Sequence, residues 1–455
     1  DFWKDKKKAE KILREKTNLE KLLNSFEITA QESKDLFDIY NLALEEDNNE
    51  MIEETINNID NRDVFGDYTL NIDNEKFNIS IKQAGDFLLY FNSPQTNEIK
   101  ELIKARDMWD QFVEGNYKTA EPGLIFWSTM SDYSPSNYVG KPIICTNPCA
   151  EVPLEDGGAC NLGSINLSRF VKNGFTANAQ IDWDALADST NILTRFLDNV
   201  VTWNEDLNAL DKQRIAAQET RRLGLGIMGV ADMLNQLGLG YDSDEGIKII
   251  TNVMEFITNA AYQASASLAA EKGASPIYLE EEYMKCPFMN LALSNETQSL
   301  IRENGIRNIA IMSIAPTGSI SNIVKGFQIG DKNYIGVSGG VEPIFSLFYT
   351  RRTESFKKNE FYRVFHSTVQ AYIDKMDLTD EMNSTSNINE YLPEYFLRTS
   401  HHIKPKKRVE IQGTIQKYID HSISSTINLP EDVQPEVISD VYLDAWKKDL
   451  KGVTI

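Results

Sequence analysis

Residues 145–167, CTNPCAEVPLEDGGACNLGSINL, hold the side chains best suited to chemistry. Pro148 and Pro153 bracket the centre of this stretch, and a proline disfavours helix for the residue before it, so residues 146–154 are predicted to be extended or looped. In an extended segment residues two apart face the same way, which would bring Asn147, Cys149 and Glu151 to one side. A thiol set between an amide and a carboxylate suits work on a sugar: the amide can hydrogen-bond a hydroxyl, and the carboxylate can take its proton. Beyond the flexible pair Gly157-Gly158 comes a second thiol, Cys160. The bland alternative is that a buried cysteine serves as a small hydrophobe. Metal binding would need more His or Cys than lies nearby. Conventional thiolate catalysis calls for a neighbouring His or cation, whereas Glu151 acts in the opposite sense, so the surroundings suit a neutral thiol or a thiyl radical.

A second candidate is the run IAPTGSISN at 314–322. The β-rich segment 308–314 (NIAIMSI) leads into Pro316-Thr317-Gly318-Ser319, whose backbone N–H groups and hydroxyls could converge on an anion if a helix begins there. The alternative is a plain strand-to-helix turn with a Ser cap. The run LGLGIMG at 223–229 lacks the preceding strand of a dinucleotide fingerprint and reads better as helix packing. Tyr349, Arg351, Arg352 and the pair His401-His402 read as structural or surface residues.

The elements that must hold these groups alternate helix and strand. Residues 1–62 are charged, with Leu and Ile at three- and four-residue spacing, and predict an amphipathic helical segment of unknown role. A strand is expected at 77–81 and a helix at 98–114, ending near Gly115. Further helices are expected at 183–207 and 221–237, then at 244–272 with Ser243 as N-cap and Gly273 as its stop. Two more follow, at 295–304 between Ser294 and Gly305 and at 435–450, the last feeding a strand at 453–455. Such alternation argues for an α/β sheet or barrel.

The chain has 455 residues, 41% hydrophobic and 25% charged, enough for one large enzyme domain with appendages or for two domains. A formal net charge of −22 argues against a broad grip on nucleic acid, while one local site can still bind a small anion. No uninterrupted apolar run of membrane-spanning length appears, and the opening DFWKDKKKAEK is unlike a signal peptide, so no membrane association is expected. Four cysteines, none in a CxxC pair, speak against a structural zinc site or a secreted disulfide scaffold and imply a reducing, cytoplasmic location with no resident metal. The opening Asp1 and the closing GVTI, a strand just beginning, suggest a piece of something longer.

The motifs then become recognisable. NPCAE followed by GACNLGSINLS resembles the radical-bearing finger loop and following strand of ribonucleotide reductases, especially their adenosylcobalamin-dependent class. The likeness continues in order through AEPGLIFW at 120–127, RRLGLGIMGVADML at 221–234, IAPTGSISN at 314–322, GGVEPIFSLFYTRR at 339–352 and HSISSTINLPED at 421–432. The resemblance implies the C-terminal portion of a ten-stranded α/β barrel over residues 63–455, with the finger loop, about 145–160, threaded through its centre. It also implies that Cys149 carries a thiyl radical that removes the ribose 3′-hydrogen. Glu151 would take the 3′-hydroxyl proton, Asn147 would orient the sugar hydroxyls, and Cys160 would supply reducing equivalents with a second cysteine. Pro316, Thr317, Gly318, Ser319 and Ile320 would hold the phosphates of a ribonucleoside di- or triphosphate.

Departures from the family pattern set further expectations. The family's N-terminal barrel half normally contributes the partner of Cys160 and the effector-reading loop; neither is found in residues 1–76, and the C-terminal cysteine pair is missing. Cys145 or Cys286 would substitute only if geometry allowed. Residues 331–337 (DKNYIGV) look like an insertion. The implied partners are the ribonucleotide, a complementary N-terminal reductase fragment without which the chain is not expected to turn over, and a thioredoxin-like or dithiol reductant. KGVTI with SISSTINLP resembles the adenosylcobalamin class. A radical supplied by a metal-containing small subunit is the alternative, and the glycyl-radical class is disfavoured. A non-catalytic accessory or nucleotide-binding fragment is the competing reading, against which the intact Asn147, Cys149 and Glu151 speak.

Overall fold

The computed structural model of the chain describes residues 67–72, 75–80, 87–93, 97–355 and 358–455, and divides it into two compact units, Asp1–Glu114 and Gly115–Ile455. The helical segment expected over 1–62 lies outside the described residues, as does Ile81. In the first unit Asp67–Ile72 pairs antiparallel with Glu75–Ser80, and Phe87–Ser93 with Asn97–Ile103. The helix expected over 98–114 is therefore corrected: its first residues are strand, and the helix is Ala105–Thr119, which runs through Gly115. Ile99, Leu102 and Ile103 fit a helical repeat by spacing. The neighbouring strand nonetheless offers a full ladder, from Phe87↔Ile103 to Ser93↔Asn97, that satisfies the backbone.

The second unit is built on parallel segments. Asn161–Asn166 pairs in parallel with Leu223–Met228. Isolated parallel bridges then join Leu225 to Met312, Ile314 to Ile423 and Thr426 to Thr454, so five segments lie side by side. Gly452–Val453, in the fifth, pairs antiparallel with Leu124–Ile125. Parallel neighbours require long crossovers, and helices supply them, among them Trp183–Trp203, Asp244–Lys272, Pro405–Gln416 and Pro435–Lys447. The unit is thus α/β.

Leu223–Met228 is buried at all six positions, as a strand covered on both faces must be. The helix expected over 221–237 is corrected accordingly: strand to Met228, a left-handed Gly229 (φ +75°), then the short helix Val230–Gln236. The glycines that suggested helix packing serve close approach between strands. A Cβ on Gly226 would press into the Ser313 carbonyl oxygen, and one on Gly224 would meet Leu162 and lie 2.9 Å from Cys160 Sγ.

Helix termini follow local chemistry closely. Ser243 Oγ accepts from the Gly246 N–H at 3.0 Å to start Asp244–Lys272, and Gly273 stops it. Ser294 caps Asn295–Asn304, and Gly305 ends it. Ile250, Val253, Met254, Ile257 and Ala261 form the apolar stripe of the long helix and are nearly inaccessible, each large aliphatic contributing about 1.5–3 kcal/mol. The helices expected at 183–207 and 435–450 stop earlier, at Trp203 and Lys447. A buried cluster pins helix to sheet: Asp198 accepts from Arg221 Nε at 2.8 Å, Arg307 Nε at 2.9 Å and Asn308 Nδ2 at 3.0 Å. Burial opposes ionisation of Asp198, but these hydrogen bonds and charges outweigh it and hold its carboxyl below the usual range. Residues 331–337 fall largely in the hairpin Lys325–Ile329/Lys332–Ile335. Among the described residues no helix is long and apolar enough to cross a membrane.

Candidate active site

Residues 147–152 form the tip of a hairpin between Ile143–Thr146 and Pro153–Glu155. Local sequence explains its shape. Pro148 sits at the second position of a turn closed by the Ala150 N–H on the Asn147 carbonyl (3.0 Å). Asn147 Oδ1 accepts from the Val152 N–H at 3.0 Å and locks the loop. Ala150 is left-handed (φ 62°), a conformation costing about 1–2 kcal/mol outside glycine. Of the two forms expected for 146–154 the structure takes the loop, and the alignment of three side chains that an extended run would give is corrected: the turn leaves Cys149 exposed and Glu151 buried. Glu151 is anchored by its own carbonyl, which accepts from the Ser422 N–H (3.0 Å) and Ser313 Oγ (2.9 Å), while its Oε2 is buried without a hydrogen-bond partner. Partial burial, with Glu151 adding to it, pushes the Cys149 thiol up, so it is a neutral S–H at pH 7.

Cys160 immediately precedes Asn161–Asn166, with its Sγ over Gly224. Burial pushes this thiol up to about 12; Arg222 opposes the shift, while Asp420, Glu151 and Glu155 add to it. The charges around it form a network the sequence reading missed. Arg222 makes an ion pair with Glu155, whose other oxygen accepts from Thr220 Oγ1 at 2.9 Å, and Arg222 Nη1 lies 3.3 Å from His421 Nε2. Burial, then Arg222 and Lys451, hold His421 far below its ordinary value, so it is neutral. Asp420 accepts from Tyr262 Oη (2.6 Å) and from the Ile311 and Met312 N–H groups (both 2.7 Å), stapling two strands together. The available signal was charge embedded in apolar strand sequence, as in IDHSI and RRLGLG.

The turn after Met312–Ile314 has a second strained residue, Thr317 (φ 53°). Thr317 is buried, and its Oγ1 accepts from the Gly340 N–H at 2.8 Å, while Pro316, Gly318, Ser319 and Ile320 are exposed. Ser319 precedes a helix of four residues, Ile320–Ile323, without a side-chain capping bond. The carbonyls of Ala315 and Pro316 pack against Gly340 and Gly339, so the GGVEP motif buttresses the turn. Tyr349, Arg351, Arg352, His401 and His402 are exposed, with His401 packed on Phe345. All four cysteines are free: Cys145 is exposed on the hairpin and Cys286 is buried in the core. No group of three or more His, Cys, Asp and Glu that could hold a metal ion occurs among the described residues.

A family model described as "Ribonucleotide reductase, barrel domain" matches residues 75–455. The vitamin B12-dependent ribonucleoside-diphosphate reductase of Thermoplasma acidophilum is 35% identical over 400 residues, covering 83% of this chain and 47% of that protein. The enzyme of the same description from Mycobacterium tuberculosis is 31% identical over 373 residues, 80% of this chain and 48% of that protein. The chain therefore spans about half the length of these relatives. In structure it resembles the Actinobacillus ureae class Id ribonucleotide reductase alpha subunit, with a TM-score of 0.55 and 21% identity over 77% of this chain and 60% of that one, a likeness of fold.

Proposed function

Since the chain belongs to the ribonucleotide reductase barrel-domain family, we propose that it is the catalytic part of a reductase that converts ribonucleotides to deoxyribonucleotides by thiyl-radical chemistry. The observation that carries this reading is the hairpin tip, which presents a neutral, exposed Cys149 thiol above a buried Glu151 with an unpaired carboxylate oxygen. A neutral S–H is the form from which a hydrogen atom can be taken, and a carboxylate with a free lone pair is the form that can take a hydroxyl proton.

In this reading the Cys149 sulfur radical removes the ribose 3′-hydrogen and becomes S–H, while Glu151 accepts the 3′-hydroxyl proton. The 2′-hydroxyl leaves as water, Cys160 and a second thiol supply two electrons and become a disulfide, and Cys149 returns its hydrogen to the 3′ carbon. Asn147 Oδ1 is engaged by Val152, so its Nδ2 is left to donate to a substrate hydroxyl. Of the phosphate-binding set Pro316, Thr317, Gly318, Ser319 and Ile320, Thr317 has its hydroxyl occupied by Gly340 and contributes through its backbone, and the exposed residues are open to the phosphates. A non-glycine residue held left-handed at each of the two turns supports a functional reading of both.

Adenosylcobalamin is the radical source we assign, after the B12-dependent relatives; when bound it supplies a carbon-centred radical. The exposed Cys149 thiol fits the part of hydrogen donor to it. The second thiol we assign to a complementary N-terminal barrel half, since Cys286 is enclosed in the core and Cys145 lies on the hairpin, its Sγ 3.9 Å from the Leu154 carbonyl. We assign the five parallel segments to the C-terminal half of a ten-stranded barrel and residues 145–160 to its finger loop. A thioredoxin-like or dithiol reductant completes the cycle. The test is deoxyribonucleotide formation by the chain with adenosylcobalamin and a dithiol, with and without an N-terminal barrel fragment. Product only in the combined sample is expected, and no product in any combination would overturn the reading.

A further inference from the structure

Arg222 stands one position before Leu223, and Cys160 one before Asn161, its parallel partner. Continuing that register puts Arg222 beside Cys160 on the same face of the sheet, which is also the face where Gly224 is left bare under Cys160 Sγ. The guanidinium is held firmly: Glu155 grips one end, His421 Nε2 faces the other, and Nε is buried without a partner. The groups facing the thiol are Arg222 beside the strand, Glu151 and Glu155 from the hairpin, and Asp420 from the segment that also carries neutral His421. Among the described residues Arg222 is the cation that opposes these three carboxyl groups at the thiol, while Lys451 is engaged by the Ile419 and Asp420 carbonyls.

We propose that Arg222 is a positioning residue for Cys160, its fixed charge placed beside the sulfur to stabilise the anion that leaves in thiol–disulfide exchange. When a dithiol reductant restores Cys160, the reductant's thiolate attacks the disulfide and the departing sulfur leaves as a thiolate, so a cation that stabilises the Cys160 anion speeds its release. The Glu155 partnership is the counterweight: it holds the guanidinium in place and offsets part of its charge. Cys160 is itself half-buried, and a small cleft lined by Ala159, Asn161, Glu205, Arg214 and Arg222 borders it.

The proposal rests on the reading of Cys160 as a redox thiol, but its test needs no turnover, so the two can fail separately. The full chain is pulsed with iodoacetamide from pH 7 to 10, and carbamidomethylation of Cys160, Cys145 and Cys286 is measured peptide by peptide. Arg222→Met alone would strand a buried Glu155 charge, so the comparison is Glu155→Gln against Glu155→Gln/Arg222→Met. Cys160 labelling should be about tenfold slower in the double variant, one pKa unit's worth, and partly restored in Glu155→Gln/Arg222→Lys. Exposed Cys145 should label equally in all. Equal Cys160 rates in Glu155→Gln and the double variant overturn the proposal. If the double variant fails to fold, seen as rapid labelling of buried Cys286, wild type against Glu155→Gln decides: loss of the counter-anion must speed Cys160 labelling, and an equal or slower rate overturns the proposal.

Discussion

Gly226→Ala tests the link between strand packing and the thiol loop. A methyl group at 226 would collide with the Ser313 carbonyl oxygen, and the Ile314 Cα would stand 3.2 Å away. Both are backbone atoms of a neighbouring segment, so no side-chain rotation can make room. The segments must separate, weakening the bonds from the Leu225 N–H to Ile311 (2.8 Å) and from the Ser313 N–H to Leu225 (2.9 Å). Overpacking and two impaired hydrogen bonds together cost about 2–6 kcal/mol. Gly224→Ala is the control. Its two closest neighbours are the Leu162 Cδ2 and Cys160 Sγ, ends of side chains that can turn aside, and the one backbone neighbour, the Asn161 carbonyl oxygen, stands at 3.1 Å and need give only a few tenths of an ångström, so about 1 kcal/mol is expected. Urea unfolding followed by circular dichroism should rank wild type first, then Gly224→Ala, then Gly226→Ala. A Gly226→Ala midpoint equal to wild type, or a larger loss in Gly224→Ala, would refute the close-approach argument.

Cys160→Ser should stop multiple turnover with a dithiol yet preserve hydrogen exchange at the substrate 3′ position; loss of exchange would mean that Cys160 has been misassigned. Gly318→Val should weaken ribonucleotide binding strongly by blocking the exposed turn, without harming the fold, because its Cβ would meet nothing within 4 Å. Ser319→Ala should cost only about 0.5–1.5 kcal/mol, and calorimetric titration of both variants checks the order. Asp198→Asn should destabilise the chain at pH 7 by about 3–5 kcal/mol, since it breaks a buried ion cluster. Because the Asp198 pKa is lowered by folding, that stabilisation is complete above the unfolded value of about 3.9 and is lost as pH falls through the lower folded value. Thermal midpoints of wild type and variant should therefore converge only in strong acid.

Capping residues marked helix ends well because their effect is local: Ser243 with Gly273 and Ser294 with Gly305 bound their helices as expected. The strand Leu223–Met228 was misread because its glycines carry no signal of their own; they are explained by Ser313 and Cys160, distant in sequence. Asn97–Ile103 likewise owes its conformation to a partner strand that periodicity alone does not reveal. At the thiol loop the prolines correctly excluded helix, but Ala150's left-handed turn, which buries Glu151 while exposing Cys149, follows from hydrogen bonds to Ser313 and Ser422. The Arg222–Glu155–His421 cluster was hidden for the same reason: its members lie up to 266 positions apart, from 155 to 421.

The most direct test of the account is tritium release from a 3′-tritiated ribonucleotide by the enzyme reconstituted with adenosylcobalamin and a complementary barrel fragment. Wild type and Cys160→Ser should release tritium, and Cys149→Ser should release none while keeping its circular dichroism spectrum, because a serine hydroxyl cannot take over the thiol's hydrogen transfer. Release by folded Cys149→Ser at more than a trace of the wild-type rate would contradict the assignment of the radical to Cys149.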